Sequence, residues 1–259
     1  MTKSPILTDE HVAANFEMQL SGYYSGKVQG PDNSFYFYSE SIPSLSWNHS
    51  VQADPSKSSH LEFVTQQASS RSRTPTFFVR ESELERVTQA LGDKGEVARE
   101  RWMICTSETL NQAPQMDDLA VTFSHDSSPT NDYCQVLERL FDDDDLNDRF
   151  KKYYVPTLKR SKLRGETSVC HAVGYVAGAP VACGSYYRIG KFSGLYSVGT
   201  VASKQKQGYG REISRMLTQS ALNEGAEDIF LQCVIGTHVE RLYSSIGYIS
   251  VEQPGLISL

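Results

Sequence analysis

The sequence predicts an α/β (α+β) protein with a mixed central sheet flanked by helices in its C-terminal half and a smaller α/β lobe before it. Three observations carry this. Short β-branched and aromatic runs alternate with amphipathic stretches along the whole chain. In the second half the order reads strand, two helices, three strands, helix, strand, helix, strand. Within it, a strand over residues 195–201 enters a turn rich in Lys, Gln and Gly that opens directly onto an amphipathic helix.

The 259 residues suffice for two modest domains with a sizeable core. With 39% hydrophobic residues, 22% charged ones and a mean hydropathy of -0.41, the composition is that of a globular protein. No apolar run approaches the roughly 20 residues of a spanning helix, and the N-terminus lacks a signal-peptide core, so no membrane partner and a cytoplasmic setting are expected. The five cysteines are odd in number and scattered. They form no Cys/His cluster of metal-ligand spacing, so they are read as reduced core thiols and no metal is expected. A net charge of -6 argues against nucleic acid as the main partner.

In the first half, residues 9–19 have helical spacing at Val12, Phe16 and Leu20, with Asp9 as a cap. Residues 34–39 and 45–51 read as strands, 56–70 as a helix and 76–79 as a strand. A helix over 82–91 has Ser82 and Glu85 at capping-box spacing, and 102–106 reads as a buried strand. Residues 107–118 are polar and contain Pro114, which makes them the expected linker. The boundary is placed near 116, dividing the chain into 1–115 and 116–259.

In the second half, a strand over 119–123 is followed by a helix over 133–141 and the acidic run Asp142, Asp143, Asp144 and Asp145. A second helix from Leu146 towards Tyr154 is expected to be interrupted by Pro156, with basic residues 157–164 exposed. Strands 169–176 and 181–189 flank a turn at 177–180. The helix over 209–224 carries Ile213, Met216, Leu217, Ser220 and Ala221 on one face and stops at Gly225. A strand over 228–234, a short helix from Thr237 to Ile246 and a strand over 248–251 complete the order.

The turn before the 209–224 helix has a phosphate-binding design. A helix N-terminus presents unpartnered N–H groups and the positive end of the dipole, which stabilise an anion. Gly208 and Gly210 lack a Cβ, so the backbone can approach a bulky pyrophosphate.

These residues resemble the GNAT acetyltransferase superfamily. The stretch Gln205, Lys206, Gln207, Gly208, Tyr209, Gly210 matches the family's Q/R-x-x-G-x-G/A coenzyme A loop, and residues 242–248, from Leu242 and Tyr243 to Gly247 and Tyr248, match its later L-Y-x-x-x-G-F/Y segment. Coverage runs over 119–251. There are departures: Ala202 replaces the usual proline, Gln205 the usual arginine, and Gly236 and Val239 the usual Asn and Ala. The first half more faintly resembles the degenerate GNAT-like lobe of two-lobe members, without a loop equivalent to 205–210.

The resemblance implies an N-acetyltransferase that moves an acetyl group from acetyl-CoA, its co-substrate, to a primary amine of a small molecule or peptide by direct attack. Backbone groups of Val198, Gly199, Thr200 and Val201 would pair with the pantetheine arm. Amides of Gln207 to Arg211 would hold the pyrophosphate, with Lys204, Lys206 and Arg211 as cations beside it. A strand N–H near residues 198–200 would stabilise the oxyanion, and Tyr243 would act as acid towards the thiolate. Residues 190–207 contain no Asp or Glu, so no base is assigned; His171 and His238 are the titratable candidates. The acidic run 142–145 suits a cationic acceptor such as a polyamine, an aminoglycoside or a lysine side chain. Two alternatives stay open: a non-catalytic acyl-CoA-binding module and an aminoacyl-tRNA-dependent transferase.

Overall fold

The computed structural model describes residues 5–259. Residues 1–4, which begin both the expected first lobe and the segment read for a signal peptide, lie outside the described residues. The first half runs α1 (Asp9–Gln19), β1 (Gly26–Gln29), β2 (Phe35–Tyr38), β3 (Asn48–Val51), α2 (Ser58–Ser69), β4 (Thr76–Val79), α3 (Glu81–Leu91) and β5 (Glu96–Cys105). The second half runs β6 (Ala120–His125), α4 (Asn131–Leu137), α5 (Asp144–Arg149), α6 (Val155–Arg160), β7 (Ser168–Val176), β8 (Ala179–Ile189), β9 (Phe192–Thr200), α7 (Tyr209–Asn223), β10 (Asp228–Val234), α8 (His238–Ile246), β11 (Ile249–Glu252) and β12 (Gly255–Ser258).

The strands join in the order β1-β2-β3-β4-β12-β5-β10-β9-β8-β7-β6, with β11 also on β5. Two placements exchange strands between the halves. β5, from the first half, pairs antiparallel with β10 from Ile229↔Cys105 to Val234↔Glu100. β12, from the second half, lies between β4 and the first part of β5, with Leu256 opposite both Phe78 and Ala98. Strand pairing is therefore continuous on either side of residue 116. The helix α1 likewise reaches across: His11 Nε2 lies 3.2 Å from Asp228 Oδ2, and the Tyr196 hydroxyl donates to Asn15 Oδ1 at 2.7 Å.

The core is built from the alternation and helical spacing seen in the sequence. Ile213, Leu217 and Ala221 of α7 are buried, as are Trp102, Met103 and Ile104 of β5 and Ile229 to Leu231 of β10. Burying a residue such as Leu217 contributes on the order of 2 kcal/mol.

Several elements differ from expectation for identifiable reasons. β5 begins at Glu96 and not near 102, because Glu96 to Arg99 find a partner in β12, itself a strand that the short apolar run 255–258 did not announce. α3 starts at Glu81 without a Ser82 capping box. Its first N–H donates instead to Glu252 Oε1 at 2.9 Å, and the Glu252 carboxylate also holds Arg80 at 2.7 and 2.6 Å. Pro156 does not end the helical run: a π turn over Phe150–Tyr154 widens the backbone just before it, and α6 continues to Arg160. Residues 45–47 form a 3₁₀ turn, so β3 is shorter than expected.

Candidate active site

β9 and β10 run parallel and pair only from Phe192↔Asp228 to Gly194↔Phe230. Beyond Gly194 they part. A bulge in β9 helps to part them: Cys183 faces Gly199 and Ser185 faces Tyr196, so Ser197 and Val198 share the single residue Gly184 opposite. Ser197 takes φ +51°, unusual for a side-chain-bearing residue, and its hydroxyl is hydrogen-bonded to the Tyr23 hydroxyl. The diverging strands open two adjoining cavities.

The first, about 480 Å³, lies over the N-terminus of α7. Gly208 is the N-cap of that helix at φ +93°, where an added side chain would be strained, and no side chain caps the first turn. The loop is held in shape by Gln205, whose Nε2 donates to the carbonyls of Leu140 at 2.7 Å and Thr200 at 3.3 Å. Ala202 N adds a 2.9 Å bond to Arg139 O. The charged side chains lining this cavity are Lys204, Lys206 and Arg211, none of which forms an ion pair among the described residues. A helix start with a glycine N-cap, three cations and, among the described residues, no lining carboxylate fits a pyrophosphate.

Of the residues expected at the donor site, Val198, Gly199, Thr200, Gln205, Lys206, Gly208, Tyr209, Gly210 and Arg211 line this cavity. Val201 and Gln207 do not. Val201 is buried with its N–H on Val181 O, and Gln207 faces solvent.

The second cavity, about 450 Å³, lies between the parted strands and the first half of the chain. Tyr243 lines both cavities, as do Leu140, Phe141, Val198 and Val239, so the two spaces meet there. Burial raises the Tyr243 pKa above the ordinary phenol value, with the neighbouring Cys233 thiol adding to it, and the hydroxyl stays protonated. Cys233 itself is pushed up to about 11 by burial, with the Glu240 and Glu100 carboxylates contributing.

Glu100 is the group that sequence reading missed. It sits at the end of the β5–β10 pairing, opposite Val234, and lines the second cavity. Burial raises its pKa, and a 2.8 Å hydrogen bond from Trp102 Nε1 pulls partly the other way. Burial also shifts other lining groups towards their neutral forms. His49 is lowered to about 4 by burial, its Nδ1 donating to Leu45 O at 3.1 Å, and burial raises Tyr23 and Tyr196. A carboxylate of raised pKa in a cavity that meets a protonated tyrosine is an arrangement suited to general acid and base work.

The two histidines fall elsewhere. His171 is buried, bonded to Ser185 Oγ at 2.6 Å and lowered to about 4 by burial; it lines a separate cavity with Ser21 and Tyr187. His238 is exposed at the start of α8, on the rim of the donor cavity. The acidic run lines neither cavity: Asp143 caps α5 through Asp145 N and Leu146 N, and Asp142 to Asp145 are exposed.

Similarity of structure decides the fold. A GCN5-related N-acetyltransferase from Kribbella flavida superposes with a TM-score of 0.70 over 98% of this chain and 96% of its own, at 15% identity. The chain has the GNAT fold. A tandem GNAT protein from the clavulanic acid biosynthesis pathway matches 99% of this chain and 90% of its own, with a TM-score of 0.66 at 8% identity. A GCN5-related N-acetyltransferase from Sphaerobacter thermophilus matches 90% and 79%, with a TM-score of 0.59 at 12% identity. No protein-family model matches the sequence, and no curated protein matches it. These matches extend over both halves of the chain. Among the described residues no group of His, Cys, Asp and Glu could hold a metal, and no helix is long and apolar enough to cross a membrane.

Proposed function

We propose that the protein transfers an acetyl group from acetyl-CoA to a primary amine by direct attack. The observation that carries this reading is Tyr243 at the junction of two cavities of opposite character, one bordered among the described residues by three cations, the other by a single carboxylate. Acyl transfer between a polyanionic donor and a cationic acceptor needs that separation, with the reacting atoms brought together where the cavities meet.

The residues divide the work as follows. The start of α7, with Lys204, Lys206 and Arg211, binds the donor's phosphates. Glu100 takes a proton from the ammonium, leaving a nucleophilic nitrogen. That nitrogen bonds to the acyl carbon, the C–S bond breaks as Tyr243 donates a proton to the departing sulfur, and the second proton lost by the nitrogen restores the Tyr243 phenol while Glu100 releases the first to solvent. In sum, R-NH₃⁺ and the thioester give the N-acetyl amide, free thiol and one proton. The chemistry is placed in residues 116–259, completed by Glu100 from before that boundary.

Two measurements test this. Isothermal titration with acetyl-CoA is expected to give a one-site isotherm that Gly208→Glu abolishes through bulk and like charge. Free-thiol release in the presence of primary amines is expected for the native chain. Acetyl-CoA binding without thiol release across a broad amine panel would instead mark a non-catalytic acyl-CoA-binding module.

A further inference from the structure

The walls of the second cavity say what kind of amine it takes. They are mostly aromatic and aliphatic, with Phe16, Trp47, Phe78, Phe150 and Tyr154 among them. The rings are fixed by one another. Tyr23 stacks on Trp47 at 4.4 Å and Phe150 on Tyr154 at 4.6 Å, while the Trp47 indole donates to the Tyr154 hydroxyl at 3.1 Å. On the α1 side Asn15 Oδ1 accepts from Gln19, Tyr196 and Gln232 at 3.3, 2.7 and 3.2 Å. Among the described residues Glu100 is the one carboxylate lining the space, and no Lys or Arg lines it. The cavity volume falls within the roughly 300 to 1,000 Å³ of small-molecule sites.

We infer that the acceptor is a small monocationic primary amine carrying an apolar, ring-bearing body, its ammonium on Glu100 and its body against the rings of Trp47, Phe16 and Phe78. This rests on the acetyl-transfer reading and narrows it. One carboxylate balances one ammonium. A polyamine or aminoglycoside would bring further charges into the same space, with no second carboxylate among the described lining residues to balance them. Rings also favour a cation and an apolar ring body through face and edge contacts. The carboxylates that would suit a polycation, Asp142 to Asp145, lie outside the cavity lining.

The test uses 2-phenylethylamine, spermidine and the uncharged 2-phenylethanol. Titration with acetyl-CoA comes first and stands apart: its failure removes the transfer reading, whatever the amines do. With donor binding in hand, 2-phenylethylamine is expected to surpass spermidine in kcat/KM by about tenfold or more. Without donor, it is expected to change tryptophan emission saturably, with the change diminished in Trp47→Phe. Glu100→Gln is expected to weaken binding of 2-phenylethylamine and leave that of 2-phenylethanol intact, a result that a misfolded variant would not give. The triple change Asp142→Asn, Asp144→Asn, Asp145→Asn is expected to keep kcat/KM within about twofold, the size of a surface effect. Preference for spermidine, equal loss of both phenyl ligands in Glu100→Gln, or collapse of turnover in the triple variant would each overturn the assignment.

Discussion

Trp102 Nε1 donates a 2.8 Å hydrogen bond to Glu100 Oε1, two residues earlier on β5, so both side chains project from one face of the strand. Burial raises the carboxyl's pKa and this bond lowers it. Trp102→Phe removes the lowering contribution and keeps a ring in the core. The acid limb of the kcat/KM profile, where Glu100 becomes protonated and can no longer accept a proton, is therefore expected to move to higher pH. An unchanged acid limb would separate Glu100 from the chemistry.

Glu100→Gln is expected to lower kcat by about a hundredfold or more, the scale of a lost general base. Stability should go the other way. A carboxyl whose folded pKa lies above its unfolded value favours folding below the unfolded value, and that contribution is lost as pH rises through the folded pKa. At pH 8 the native chain carries the cost of a buried carboxylate and the glutamine variant does not. Its thermal midpoint is expected to equal or exceed the native one at pH 8, and to lose that advantage at pH 4.

Tyr243→Phe keeps the ring that packs at 5.6 Å from Tyr248 and removes the hydroxyl. Acetyl-CoA affinity by titration is expected to hold while kcat falls by about a hundredfold. Full turnover over the whole pH range would leave the hydroxyl without a part in the reaction.

Gln205→Ala cuts both ties from the loop to Leu140 and Thr200. With each bond contributing about 1 kcal/mol, the thermal midpoint is expected to fall by a few degrees and the dissociation constant for acetyl-CoA to rise about tenfold as the loop loses its shape. An equal fall in kcat at saturating donor would instead implicate the loop in positioning the acyl group.

Gly247→Ala is expected to be strongly destabilising, by about 4 kcal/mol or more. Gly247 sits at φ +116°, and a Cβ there would come 2.0 Å from Thr109 O, which is backbone and cannot step aside. Chemical denaturation with circular dichroism would measure it; a native-like midpoint would refute the close approach.

The donor side was legible in the sequence because it is contiguous. Thr200, Gln205, Gly208 and Arg211 fall within one strand, turn and helix start, and the physics of that junction depends on local order alone. The acceptor side is assembled from residues far apart in the chain, among them Asn15, Trp47, Glu100 and Gln232. No local pattern links them. Glu100 was further hidden by its company: residues 96–101 read Glu-Val-Ala-Arg-Glu-Arg, charged and largely exposed, and are drawn into a strand by β12 and β10. Pro156 misled for a different reason, since its effect on a helix depends on whether a widened turn precedes it.

The exchange of β5 and β12 also orders events during synthesis. β4 and β5 have no direct pairing with each other and are bridged by residues 255–258, which leave the ribosome only after all of β6 to β11. The first half must wait with an open slot in its sheet while the second half takes shape beside it. Folding is then governed by contacts between distant parts of the chain, which slows it and leaves strand edges exposed meanwhile. The same arrangement means that Glu100 reaches its place beside Gln232 and Tyr243 only when the two halves close together, so a nascent first half holds only part of the second cavity's wall.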